Sequence, residues 1–241
     1  MASIVTRARA FIAARLDSDK HLGLHLTLAL LIASLALWGF GTLLDSVLDN
    51  ATLVRLDTAL HARILAHVTP GGVTFFNLVS TIGSPASMQA LGVIGAGILL
   101  WQRRRPALIA WIFAFVGGGI IQRVIKISVH RHRPVFVAAG ESFGPFSFPS
   151  GHAAWSFLAL GMLVYLLTLY WHPRPPWRAI VIVVAIAMVA LIGVGRVYLG
   201  VHFPSDVLGG WVVAAAWLGI CGAALAITLH AEQVSSARGT R

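Results

Sequence analysis

Six long apolar runs, set apart by short polar interruptions, dominate this chain. They are roughly Leu22–Leu44, Ser87–Gln102, Ala107–Ile125, His152–Tyr170, Ala179–Gly195 and Val207–Leu229. Each is near the ~20 residues a helix needs to cross a ~30 Å hydrocarbon core. The second is short and predicts recruitment of residues before Ser87. Backbone groups in lipid must be satisfied within the segment, so such runs are read as helices. The pattern predicts an all-α integral membrane bundle of six transmembrane helices.

Residues 45–86 form the one long connection. There Leu53, Leu56, Leu60, Ile64 and Val68 recur every three or four residues, which predicts an amphipathic helix. Thr69-Pro70-Gly71-Gly72 is expected to end it, and a short apolar stretch, Val73–Val79, follows. This interfacial helical segment between helices 1 and 2 reads either as packing against the bundle, the simpler reading, or as lying flat along the outer interface. Residues 1–20 carry Arg7, Arg9, Arg15 and Lys20, with Ile4, Ala8, Phe11, Ile12 and Leu16 at helical spacing. They read equally as a basic amphipathic segment on the membrane surface or as a tail that only sets topology. The apolar run that follows is too long for the h-region of a signal peptide. Without internal repeats or low-complexity linkers, residues 21–230 read as one six-span domain, with 1–20 before it and a tail, 231–241, after it.

Composition agrees with this reading. The 241 residues are 58% hydrophobic and 11% charged, with mean hydropathy +0.83, whereas soluble domains average about a quarter charged residues. The formal net charge is +10, but the Lys and Arg lie mostly in end segments and loops. That fits topology and anionic head groups, not nucleic acid, which calls for a basic face on a soluble fold. Eleven of the 18 Lys and Arg fall in the amino-terminal segment, in Arg103–Arg105, at Arg174 and Arg178, and in the tail. By the positive-inside rule both termini are expected in the cytoplasm of a cell inner (plasma) membrane protein, and the opposite ends of the spans on the outer, periplasmic face. Cys221, the only cysteine, lies in an apolar run and is expected to be packed and inert.

Three polar clusters fall together on that outer face. Lys126 and Arg133-Pro134 close the third span. Pro149-Ser150-Gly151-His152 precedes the fourth. Arg196, His202 and Asp206 join the fifth to the sixth. Charges at membrane depth are costly and default to a functional reading. Arginine offers a planar fork and lysine a compact charge to phosphate oxygens. Ser150 is expected to cap the fourth helix, whose free N–H groups favour an anion, and Gly151 permits close backbone approach. His202 and Asp206, four apart, are expected on one face of the opening turn of the sixth helix, with Pro204 favouring its start. A carboxylate beside an imidazole fixes its tautomer and stabilises its charged form. Three cations near two histidines suit a phosphate ester. Arg123 and Arg131 are expected to be snorkelling interface residues, and His130 and His132 only to line the entrance. His21, His25, His61, His67, His172 and His230 show no spacing that suggests a metal site. Asp206 and Glu141 are the only acids between positions 58 and 231.

Lys-x6-Arg-Pro, Pro-Ser-Gly-His and Arg-x5-His-x3-Asp, in this order, resemble the signature of the type 2 phosphatidic acid phosphatase family, which shares its site with vanadium haloperoxidases. The motifs cover about a third of the chain, from Lys126 to Asp206, and the six-span pattern extends the likeness. The resemblance implies that His202 is a nucleophile forming a phosphohistidine and that Asp206 orients it. It implies that His152 protonates the leaving group and then activates water. Lys126, Arg133 and Arg196, with Ser150 and the Gly151 backbone N–H, would hold the phosphate. No metal and no other cofactor is implied.

The expected partners are the bilayer and a lipid phosphate: undecaprenyl diphosphate, phosphatidylglycerophosphate, phosphatidate or diacylglycerol diphosphate. A long-chain diphosphate is slightly favoured by the outer location and small size. The alternatives are a phosphotransferase with a lipid or sugar acceptor, and a non-catalytic binder or transporter. Oligomeric state is not legible. One departure stands out: the family usually has Ser where this chain has Gly195, so a hydroxyl beside the phosphate is expected to be missing.

Overall fold

A computed structural model describes residues 21–49, 51–134, 144–171 and 174–239. The amino-terminal segment, 1–20, lies outside the described residues. Eight helices form among them: α1 (His21–Asp49), α2 (Ala51–Leu65), α3 (Pro70–Ile82), α4 (Pro85–Trp101), α5 (Arg105–Val129), α6 (Gly151–Tyr170), α7 (Pro175–Tyr198) and α8 (Pro204–Gly239). The one β-type pairing among the described residues is an isolated bridge between His132 and Phe146. Six segments are long and apolar enough to span a membrane: Leu26–Asp49, Pro70–Trp101, Arg105–Val129, Gly151–Tyr170, Pro175–Tyr198 and Pro204–Glu232. The chain is a multi-pass, all-α membrane protein. Helix α8 runs on through the residues read as a tail, as far as Gly239.

The second span is built from α3 and α4 end to end, which explains why its apolar run is short. Gly83 ends α3, its N–H bonding Val79 O at 2.9 Å. Ser84 then caps α4 by accepting from Ser87 N at 3.1 Å, and Pro85 follows at the first helical position. A Cβ at Gly83 would come 2.5 Å from Ile192 Cδ1, so glycine lets this joint seat on α7 without displacing Ile192. Thr69-Pro70-Gly71-Gly72 has two jobs. It follows α2, and it also opens α3: Thr69 Oγ1 accepts from Gly72 N at 3.2 Å, and Pro70 takes the first helical position. The start of α3 is tied to the end of α7, because Thr69 N donates to Tyr198 Oη at 2.9 Å.

Helix α2 forms as its periodicity predicts, but its inward face differs from the expected one. Leu56 and Leu60 are 62% and 47% exposed, while Asp57 and His61 are buried. The face turned to the bundle is Leu53, Asp57, His61 and Ile64, and His61 packs on Phe203 with ring centroids 5.6 Å apart. Burial holds the His61 imidazole below its usual range, against the pull of Asp57 and Asp206.

The core lies among α4, α5, α6 and α8, with Trp111, Met162, Cys221 and Leu225 almost fully buried. The Trp111 indole donates to Gly92 O at 2.7 Å and that of Trp217 to Ala114 O at 2.9 Å, so both interior N–H groups are satisfied. Helix α1 packs along α8. Large apolar side chains such as Val93, Ile94, Ile109 and Val183 remain exposed, as expected of surfaces turned to lipid tails. The carboxyl ends of α5 and α7 and the amino ends of α6 and α8 meet at one end of the bundle and bring the polar clusters together.

Candidate active site

The turn between α7 and α8 carries the most buried part of the site. Arg196, in the last turn of α7, is fully buried, and His202 and Asp206 are 2% and 0% exposed. The helix start differs from expectation. His202 lies in the turn itself, two residues before α8 begins at Pro204. The contact forms nonetheless, because Asp206 folds back over the turn. Its Oδ2 accepts from Phe203 N at 2.9 Å and faces His202 Nδ1 at 3.4 Å, a charge contact longer than a good hydrogen bond.

Arg133 assigns the tautomer. Its Nη1 donates to Val201 O at 2.8 Å and lies 3.2 Å from His202 Nε2. Guanidinium has no acceptor, so Nε2 carries the lone pair and Nδ1 the proton, facing the carboxylate. Burial pushes His202 down to about 4. The nearby Asp206 opposes this, and Arg133 and Arg196 add to it. The imidazole is therefore neutral at neutral pH, with an unprotonated Nε2 among cations. Lys126 secures the approach to the second cluster by donating to Phe146 O at 3.1 Å. It lies within electrostatic reach of Arg133 and Asp206.

The second cluster comes in at the start of α6. Ser150 holds the N-cap position as expected, but its hydroxyl makes no capping bond and, among the described residues, finds no partner. Its backbone N–H donates to Asp206 O at 2.9 Å, which docks α6 on α8. Gly151 begins α6, and a Cβ there would come 3.2 Å from Gln122 Nε2. His152, in the first turn, interacts electrostatically with Arg196, His202 and Arg133. All eight site residues inferred from the sequence thus lie at one end of the bundle.

Further residues join them that the motif reading did not find. Ser80 on α3 lies between two of the eight: Arg196 Nη1 donates to its hydroxyl, and its Oγ is 3.3 Å from His152 Nε2. One turn earlier on α3, Phe76 covers Gly195, where a Cβ would come 2.8 Å from Phe76 Cδ1. A larger residue at 195 is therefore resisted by Phe76, and α3 supplies a hydroxyl from another direction.

Arg131 is not a snorkelling residue. Its Nη1 reaches Asp206 Oδ1 at 2.8 Å and Ser205 Oγ at 2.6 Å, its Nη2 reaches Asp57 Oδ2 at 2.7 Å, and its guanidinium stacks 4.5 Å over Phe203. Asp57 also accepts from Ser205 N at 3.0 Å and from the Ser205 hydroxyl. The signal available in the sequence was Asp57 and His61, four apart on one face of a helix at the end of the bundle where the clusters lie. Arg123, by contrast, is exposed as expected.

Chemically, a neutral imidazole whose Nε2 carries its lone pair, oriented by a carboxylate and ringed by guanidinium and ammonium groups, suits attack on an anionic, electrophilic centre. The family model of the PAP2 superfamily matches residues 107–227, half of the chain. Identity to decaprenylphosphoryl-5-phosphoribose phosphatase of Mycobacterium tuberculosis is 34% over 170 residues, 69% of this chain and 85% of that one. Identity to phosphatidylglycerophosphatase B of Bacillus subtilis is 32% over 119 residues, 49% of this chain but only 58% of the relative's length. The crystal structure of a transmembrane PAP2-type phosphatidylglycerolphosphate phosphatase from Bacillus subtilis shares the fold. Its TM-score is 0.71 over 78% of this chain and 93% of that one, at 24% identity. The motifs from Lys126 to Asp206 lie within the matched segment, and the chain belongs to the PAP2 superfamily.

Proposed function

We propose that this protein is a membrane lipid phosphatase that hydrolyses phosphomonoester or diphosphate head groups through a phosphohistidine. The observation that carries the reading is the pair of contacts on His202: Arg133 at Nε2 and Asp206 at Nδ1. In the first step Nε2 attacks phosphorus, the N–P bond forms, and the bond to the leaving oxygen breaks. His152 gives that oxygen a proton. Asp206 stabilises the positive charge that develops on His202. In the second step water attacks phosphorus, the N–P bond breaks and His152 takes the proton from water, so each cycle consumes one water and restores both histidines. Lys126, Arg133 and Arg196 neutralise the phosphate oxygens, with Ser150 and the Gly151 N–H as neutral donors.

The relatives' names support a lipid-linked phosphate as substrate. The better-covered relative, named for a decaprenyl-linked phosphate, supports the polyprenyl side of that class. The loop charges support cytoplasmic termini and a site on the outer face, where a head group enters while its chain stays in lipid. The test is phosphate release by detergent-purified protein from a panel of lipid mono- and diphosphates, with EDTA present. Release without added acceptor that survives EDTA and vanishes in His202→Ala supports the reading. No release from any lipid, or full release in His202→Ala, overturns it.

A further inference from the structure

We propose that Asp57, on α2, is a positioning residue for the reaction: it keeps Asp206 available to His202 by sharing Arg131. The proposal rests on the phosphatase reading above. Arg131 is bound between two carboxylates whose side chains are 4% and 0% exposed, at 2.7 Å from Asp57 and 2.8 Å from Asp206. Asp206 is thereby divided. Its Oδ1 belongs to Arg131, and its Oδ2 faces His202 Nδ1.

A guanidinium this close would by itself cancel the field of Asp206 at the imidazole. Asp57 restores it, because two carboxylates around one cation leave a net charge of about −1 beside the histidine that must turn positive. With Asp57 neutral the trio is neutral, and Arg131 is free to draw Asp206 fully to itself. The His202 charge is also faced by Arg133 and Arg196, which disfavour it, so this carboxylate charge is needed.

Asp57 has a structural role as well. It accepts from Ser205 N and from the Ser205 hydroxyl, which pins α2 to the amino end of α8. The experiment must separate the two roles, so Asp57→Asn is read together with the double variant and with melting. Asn keeps a carbonyl oxygen for Ser205 N but removes the charge and the Oδ2 acceptor that Arg131 Nη2 uses.

In phosphate release from a lipid phosphate, Asp57→Asn is expected to lower kcat by about ten- to a hundred-fold with little change in KM, since Asp57 does not touch substrate. Adding Arg131→Gln removes the competing cation while keeping a neutral donor to Asp206. The double variant is expected to recover kcat to within about threefold of the wild type. Asp57→Glu, which keeps the charge, is expected to retain activity. Thermal melting of each variant in detergent checks folding. A double variant no faster than Asp57→Asn, or wild-type kcat in Asp57→Asn, overturns the proposal while the phosphatase reading stands. Absence of release from the wild type overturns both.

Discussion

Removing the Ser80 hydroxyl is expected to slow turnover although Ser80 lies outside all three motifs. Arg196 is fully buried and donates to Ser80 Oγ. Guanidinium only donates, so the hydroxyl proton is left to face His152 Nε2, 3.3 Å away. When Nε2 is protonated, the same oxygen has a second lone pair to accept from it. Ser80 therefore serves both protonation states that the two steps require. A hydrogen bond to a charged group is worth about 1.5–3 kcal/mol, so Ser80→Ala is expected to lower kcat/KM by about 10- to 150-fold. Ser80→Thr, which keeps the hydroxyl, is expected to fall less. Gly195→Ser does not rescue Ser80→Ala, because its Cβ would meet Phe76 Cδ1 at 2.8 Å and the overpacking costs about 1–3 kcal/mol. The assay is initial-rate phosphate release with melting controls. Folded Ser80→Ala with more than half of wild-type kcat/KM, or full rescue by Gly195→Ser, refutes the reasoning.

The other predictions concern titration and packing. His202 is held at about 4 by burial, so the acid limb of kcat/KM is expected near pH 4; a limb near the ordinary 6.5 would show that another group must be neutral for attack. The same shift makes stability pH-dependent. The unfolded histidine binds its proton near 6.5 and the folded one only near 4, so this contribution is complete above 6.5 and is lost as pH falls toward 4. Thermal midpoints in detergent that stay constant across that window would contradict it, and His202→Ala should flatten the slope. Gly83→Ala places a Cβ 2.5 Å from Ile192 and is expected to cost about 1–3 kcal/mol; an unchanged melting temperature would show that Ile192 simply moves aside.

The sequence by itself determined the all-helical class, the six spans and the placing of the three polar clusters at span ends. Span-length apolar runs can only be helices in lipid, and charged residues at their ends had to converge because isolated charges there are costly. Length, periodicity and charge cost are local properties, legible without neighbours. The sequence did not determine which face of α2 turns inward. Its apolar stripe through Leu56 and Leu60 faces outward, and the buried face carries Asp57 and His61, because in a membrane an apolar face is at home against lipid. Nor did it show that α3 and α4 share one span, a joint that depends on Ile192 seating against Gly83. Arg131 read as an interface cation until its partners, 74 and 75 residues away, were in place. Ser80 became part of the site only through Arg196, 116 residues away. These assignments are pairings, and a pairing is decided by which helices pack together, so it appears only when the tertiary structure sets the two faces against each other.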